Sequence, residues 1–180
     1  MRSLFLALAV LAGPALAQEG GQSVTADLDK DGAPETYSLL DNGTGTVDLT
    51  VESASGTTTF PGVAWTGGMA GQEPDLSLSP AGSVLLASRN DSVGRDRWTL
   101  VLTIAQRDGA LKVAGITYER RDTLDPEMGW GTCDLNLLSG RGVIEGPGGR
   151  QEIAVPGPAP RLSDWQESDL TEVLPAECFG

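Results

Sequence analysis

The sequence predicts an all-β fold: an antiparallel sandwich, barrel or strongly curved sheet with a short helical turn near the C-terminus. The first observation is alternation, because polar and apolar residues take turns over many short segments. The second is punctuation, since glycine or proline lies in nearly every gap between those segments. Many short strands joined by frequent turns are typical of antiparallel sandwiches and barrels.

The clearest element is a hairpin over residues 98–119. In residues 98–104 every second side chain is aromatic or aliphatic, and the side chains between them are threonine or valine. Residues 107–110 read Arg-Asp-Gly-Ala, and Asp-Gly is a preferred two-residue hairpin loop. Residues 111–119 are again rich in apolar and β-branched residues, so we expect them to return as the partner strand.

The other elements are shorter. Residues 163–170 have the pattern of a helical turn, with Ser163 as N-cap and Gln166 as its capping-box partner. The remaining segments share alternation or β-branched composition and end at turn residues. These predicted strands are residues 22–26, 36–40, 46–52, 57–60, 75–79, 83–87, 133–138, 142–145 and 151–155.

The first 17 residues have the pattern of a secretory signal. Arg2 precedes an apolar stretch over residues 4–12, and Ala15-Leu16-Ala17 supplies the small residues that a signal peptidase accepts. We therefore expect a mature chain that starts at Gln18 and reaches the periplasm or the medium, without membrane insertion. The predicted organisation is a signal peptide (1–17), one β domain (18–155) and a C-terminal tail (156–180), in a monomer.

The charge balance excludes one class of partner. The chain has 25 acidic and 12 basic residues, and with Arg2 in the signal segment the mature chain has 25 against 11, a net charge of −14. A surface this acidic repels phosphate and attracts cations. We expect no nucleic acid partner, and the composition is compatible with a cation site.

The two cysteines, Cys133 and Cys178, predict one disulfide, because an exported chain enters an oxidising compartment. Proline and glycine make residues 156–160 a stiff, extended linker, and the cystine would tie the tail beyond it back to the domain. The chain has no histidine, which argues against a zinc site and excludes Ser-His-Asp and Cys-His catalysis.

The most informative motif is an acidic run with carboxylates at relative positions 1, 3, 5 and 9 and a glycine at position 6. A short loop with this spacing can aim several oxygens at one hard cation such as Ca²⁺, and glycine permits the sharp turn. Such a loop would be strained without a cation, because its carboxylates repel one another. The residues are Asp27, Asp29, Asp31, Gly32 and Glu35.

The first half of this run is similar to an EF-hand loop, but position 12, where an EF-hand has its bidentate glutamate, is Ser38. Because predicted strands flank the run, it more closely resembles the hairpin calcium loops of FG-GAP and VCBS-type repeats. The resemblance covers one copy of about 25 residues, so it implies no complete propeller. It implies that calcium is bound by the side chains of Asp27, Asp29, Asp31 and Glu35 and by the backbone carbonyl of Ala33.

Other polar and aromatic clusters leave alternatives open. Residues 89–97 alternate in charge and are interpreted as a solvated turn. Asp122, Asp125 and Glu127 precede Trp130, and paired carboxylates beside an aromatic ring are what a glycosidase uses. Trp65 and Trp130, each near glycines, are the candidates for an exposed sugar platform.

The sequence-based hypothesis is an exported, non-enzymatic, calcium-binding structural or binding module with an unidentified protein or glycan partner. The alternative is a carboxylate-dependent hydrolase acting on carbohydrate.

Overall fold

The computed structural model describes residues 22–155 and 157–179. The predicted signal peptide and Pro156 of the predicted linker lie outside these residues. Eleven strands form in the described part of the chain, one within each predicted strand segment or overlapping it. They are β1 (Ser23–Ala26), β2 (Glu35–Asp41), β3 (Thr46–Ser53), β4 (Gly56–Trp65), β5 (Asp75–Leu78), β6 (Val84–Asn90), β7 (Asp96–Arg107), β8 (Ala110–Asp122), β9 (Trp130–Asn136), β10 (Arg141–Gly146) and β11 (Gly149–Ala154).

The strands form two antiparallel sheets. One has the order β1-β2-β3-β4, and the other has the order β11-β10-β9-β8-β7-β6-β5, so all strands that are consecutive in sequence are paired, except β4 and β5, which lie in different sheets. The predicted all-β antiparallel fold is confirmed. Neither sheet is closed into a barrel, which leaves the two-sheet sandwich among the predicted architectures. Strand β1 lies beside β5, and β4 lies beside β6.

The β7–β8 hairpin is the longest pairing and forms as predicted. Its two-residue loop, Asp108-Gly109, has positive φ angles of 53° and 74°, which is the geometry that a tight turn between twisted strands requires. The register runs from the pair Arg107 and Ala110 to the pair Asp96 and Asp122. One hairpin therefore extends across the whole sandwich, and its two ends lie near different loops.

The core lies between the sheets. Alternate residues of the central strands are buried, because successive side chains of a strand point to opposite faces. The largest fully buried side chains come from both sheets and from the C-terminal tail: Tyr37, Leu49, Val63, Leu76, Leu86, Leu100, Leu102, Ile104, Ile116, Leu135, Leu162 and Trp165.

The C-terminal tail packs against both sheets. The backbone N–H of Val113 in β8 donates to the carbonyl of Pro160 at 3.1 Å, and the indole N–H of Trp165 donates to the carbonyl of Val63 in β4 at 2.9 Å. The predicted disulfide forms between Cys133 of β9 and Cys178 near the end of the tail. The tail thus contributes buried side chains to the same core as the strands.

The predicted helix over residues 163–170 is wrong in its details. The structure instead has 3₁₀ turns at Leu162–Asp164 and Glu167–Asp169 and one α-helical turn, α1 (Leu170–Val173). Ser163 caps nothing, and its hydroxyl donates to Asp164. The carboxylate of Asp169 accepts the backbone N–H of Gln166 at 2.8 Å. The backbone of Trp165 and Gln166 is extended, with ψ angles of 135° and 150°, and this divides the segment into short turns while the Trp165 side chain enters the core.

Within residues 22–155 and 157–179, the helices are too short to span a bilayer.

Candidate metal centre

The acidic run forms the loop between β1 and β2. The pair Ala26 and Glu35 closes the hairpin, so the glutamate at position 9 is the first residue of β2. Inside the loop, Lys30 and Gly32 have φ angles of 64° and 90°. Glycine adopts this left-handed region without a steric penalty, which explains why position 6 of the motif is glycine.

The loop backbone folds around its own carboxylates. Asp27 accepts the N–H groups of Asp31 at 3.1 Å and of Gly32 at 3.0 Å through its two oxygens. Asp29 also accepts the N–H of Asp31 at 3.1 Å, and Asp31 accepts the N–H of Ala33 at 2.7 Å. These short-range bonds are typical of aspartate in turns, and they hold the carboxylates on the inside of the loop.

Four carboxylates converge at this point. One oxygen from each of Asp27, Asp29, Asp31 and Glu35 lies within 4.8 Å of the other three. Like charges at such separations repel one another, and a bound cation would reduce that repulsion. An all-oxygen cluster of this kind could hold a metal ion.

Glu35 is the unusual member of the cluster. It is 8% exposed, while Asp29 and Asp31 are exposed. Its one side-chain partner is the hydroxyl of Tyr37, which donates to Oε2 at 3.3 Å, and Glu35 belongs to none of the five ion pairs among the described residues. A buried carboxylate without a basic partner is costly unless something else neutralises it.

Tyr37 is a residue that the sequence argument missed. It lies on the same face of β2 as Glu35, two residues away, and is 1% exposed. Burial and the neighbouring carboxylates of Glu35, Asp29 and Asp27 raise the pKa of its hydroxyl, so the group stays protonated and acts as a donor. The alternation of β2 was the available signal, because it already placed residues 35 and 37 on one face.

A cleft of about 250 Å³ adjoins the acidic loop. Its far walls come from the β3–β4 turn, with Ser53 and Ser55, and from the closed end of the β7–β8 hairpin, with Gln106 and Leu111. One side of the cluster therefore faces a small space lined by both polar and apolar side chains rather than packed protein.

The second acidic cluster has another arrangement. Asp122 binds Arg95 and accepts the backbone N–H of Leu124 at 2.8 Å, and these bonds lower its pKa to about 2. Asp125 accepts the backbone N–H of Met128, and Glu127 is exposed. A carboxyl group that stays ionised cannot act as the general acid of a glycosidase, so Asp122 serves as an anchor for this loop.

Trp65 and Trp130, the two candidates for an exposed platform, are both half-buried. Trp65 packs against Trp98, with ring centroids 5.2 Å apart and planes inclined by 58°, and Trp130 begins β9 with its side chain half-buried. Residues 89–97 also do more than form a solvated turn: Asp91 pairs with Arg121 at 2.9 Å, and Arg95 pairs with Asp122. These contacts tie together the loops at this end of the sandwich.

Comparisons of the chain with family models, with curated proteins and with solved structures found no match.

Proposed function

We propose that this chain is an exported, non-enzymatic, calcium-binding structural or binding module. Calcium is held by the carboxylates of Asp27, Asp29, Asp31 and Glu35 and by the carbonyl of Ala33. The observation that carries the proposal is the convergence of four carboxylates within 4.8 Å, one of them a buried glutamate that has no basic partner among the described residues. A bound cation would offset both the repulsion and the burial.

The donor set favours calcium over other metals. Every side-chain donor is a carboxylate oxygen, which suits hard cations, and no histidine or free cysteine is available for zinc or copper. Calcium accepts six to eight oxygens in flexible geometry, whereas magnesium demands a near-ideal octahedron. A loop with four carboxylates on uneven spacing meets the first requirement more easily, and water completes the coordination.

The role of the metal follows from its place in the chain. The loop joins β1 to β2, and β1 is an edge strand whose neighbour across the sandwich is β5. Neutralising the carboxylates favours the closed hairpin and so holds the N-terminal strand in register. The cleft beside the loop, with its mixed polar and apolar lining, gives a protein or glycan partner a place to contact the metal.

Export is supported by two independent features. Residues 1–17 have the pattern of a signal peptide, and the Cys133–Cys178 disulfide belongs to an oxidising compartment such as the periplasm or the medium. Extracellular calcium sites are commonly of modest affinity, which is compatible with a loop that has exposed ligands. We expect a monomer without nucleic acid partners.

Thermal unfolding with and without calcium tests this function. Mature protein freed of metal by dialysis should melt several degrees higher after calcium is added, because binding to the folded state alone stabilises it by about 2.7 kcal/mol at a hundred-fold excess over Kd. Magnesium at the same concentration should give a smaller shift. Glu35→Gln should lose most of the calcium shift.

The matched control is Glu52→Gln, which removes an exposed carboxylate from the same sheet and should keep the full shift. Identical melting curves with and without calcium, in protein that metal analysis has shown to be calcium-free, would reject the site.

A further inference from the structure

A second site lies at the opposite end of the long hairpin, on the face of the larger sheet that is turned toward the core. Tyr118 and Cys133 are opposite each other on this face, and so are Arg120 and Gly131 one step further along. Because side chains alternate, Arg120 shares its face with Tyr118 and points to the same side of the sheet. It is a charged side chain at the rim of a hydrophobic surface.

Glycines occupy the positions beside Arg120. Gly131 of β9 lies opposite it, and Gly146 of β10 is paired with Gly149 of β11. In the β9–β10 pairing Thr132 is opposite Glu145, so one further step along the two strands places Gly146 opposite Gly131. Three neighbouring strands therefore present no side chain along one row. A β-carbon at position 131 would lie 3.2 Å from Nε of Arg120, so the arginine lies directly over this glycine.

The glycine row forms the floor of a groove of about 500 Å³, a size typical of small-ligand sites. Arg120 lies at one end of the groove. Ile144 and Gln151 lie along its floor, and the Cys133–Cys178 disulfide and Glu177 of the tail form another wall. The tail thus covers part of the sheet and leaves an open, partly polar channel.

One arginine of this groove has an unsatisfied donor. Nε of Arg120 is buried and has no hydrogen-bond partner among the described residues. Nη1 of Arg97 is buried in the same way, but its pairing with Arg121 places Arg97 on the opposite face of the sheet. The five ion pairs of the described residues do not include Arg120, although the next residue of β8, Arg121, is paired with Asp91. Buried polar atoms are nearly always satisfied in folded proteins, and a charged donor without an acceptor is costly.

We propose that the groove binds a small ligand or glycan end group that carries one carboxylate, sulfate or phosphate, with Arg120 as its anchor. The oxyanion accepts the free Nε–H of Arg120, and a flat ring lies on the glycine floor where no β-carbon obstructs it. The guanidinium offers parallel donors that match a planar or tetrahedral oxyanion. The backbone carbonyl of Trp130 borders the same groove beside Gly146.

The surrounding charges limit the ligand to one anionic group. Glu177 lines the mouth of the groove and is exposed, while Glu145 lines it and is paired with Arg150 at 3.7 Å. A second negative charge on the ligand would be repelled by the carboxylate of Glu177. The groove shares no residue with the acidic loop. Each site can therefore be tested and rejected without affecting the other.

The test is an NMR titration that follows the arginine Nε–H resonances of calcium-free protein. The probes are sodium sulfate, inorganic phosphate and glucuronate, with glucose as the neutral counterpart of glucuronate. We expect the Arg120 Nε–H to shift with the anions at millimolar concentrations and glucose to cause no shift. Stronger binding of glucuronate than of the inorganic anions identifies an acidic sugar as the ligand class, and the reverse order identifies a free oxyanion.

Three substitutions complete the test. Arg120→Gln should weaken anion binding about ten-fold or more, which is the range for a charge-assisted hydrogen bond. Gly146→Val should block the groove while Arg120 stays in place. A β-carbon at position 146 would lie 3.4 Å from the carbonyl oxygen of Trp130, which is an ordinary van der Waals contact, so the backbone can accept the valine. Arg141→Gln, at an exposed arginine of β10, is the control and should bind as the wild type does.

The proposal is overturned if the Arg120 resonance does not respond to any of the three anions at tens of millimolar. It is equally overturned if Gly146→Val and Arg120→Gln both bind the anions with wild-type affinity, or if glucose binds as well as glucuronate does. If Arg120→Gln does not fold, anion binding by Gly146→Val still decides between the two outcomes.

Discussion

The acidic loop concentrates charges of one sign, whereas the glycine-floored groove holds charges of both signs, and the two sites are also built in opposite ways. The loop draws four carboxylates from nine consecutive residues, and its own backbone N–H groups hold them. The groove depends on strands β8 to β11 and on the tail. Gln106 and Leu111, beside the loop, are about 30 Å along the β7–β8 hairpin from Arg97 and Arg120.

This difference predicts how each site should respond when the surrounding fold is perturbed. A site made by one hairpin loop keeps its geometry as long as β1 and β2 stay paired. A site made by four strands and a tail is lost when their relative positions change. Perturbations of the fold should therefore separate the two ends of the molecule, and the predictions below are ordered by the size of the expected effect.

The largest effect should come from removing the disulfide. The Cys133→Ala, Cys178→Ala double variant should lower the free energy of unfolding by about 4 kcal/mol, since the cystine closes a loop of 45 residues. The groove loses a wall, so anion binding should weaken, whereas the calcium-induced shift in Tm should persist. Urea unfolding and the two ligand titrations measure all three quantities. Equal loss of calcium and anion binding would contradict the independence of the two ends.

An intermediate effect should follow from Tyr37→Phe, which removes the hydroxyl that donates to Glu35. Calcium-free protein should lose about 1 kcal/mol of unfolding free energy, because the buried carboxylate loses its donor. Calcium-loaded protein should lose less, since the metal then satisfies Glu35, and the calcium shift in Tm should grow. Tyr118→Phe is the matched control near the groove and should leave the calcium shift unchanged. A calcium shift that decreases in Tyr37→Phe would contradict this account of Glu35.

The smallest effect concerns acid stability at the arginine-rich end. The pKa of Asp122 is lowered from 3.8 to about 2, chiefly by its hydrogen bonds with Arg95. A lowered pKa in the folded state contributes stability that is present above pH 4 and is lost as the pH falls from about 4 to about 2. Asp122→Asn should flatten the pH dependence of urea unfolding in this window. An unchanged slope would mean that this exposed pair adds nothing to stability.

The strands could be predicted because their signals are local. Alternation and turn residues placed every strand segment, and the Asp-Gly turn placed the β7–β8 loop at the correct residues. The ligands of the acidic loop were visible for the same reason, as they are consecutive in the chain. Their convergence could be expected from the spacing, but the burial of Glu35 depends on packing beneath β2.

Features that depend on strand register could not be predicted. Gly131, Gly146 and Gly149 each read as ordinary turn or strand-end glycines, and only the pairing of β9, β10 and β11 aligns them beside Arg120. The capping pattern at Ser163 was a local signal that tertiary packing overrode, because Trp165 is drawn into the core to reach the carbonyl of Val63. Trp65 was a candidate for exposure, and in the structure Trp98 covers part of it.

The position of Trp165 has a consequence for how the chain matures. Leu162, Trp165 and Cys178 fill the core from the last 20 residues of a 180-residue chain. The strands can pair early, but the interior is incomplete until residues 162–178 pack against them. Complete folding therefore waits for the tail rather than for the sheets.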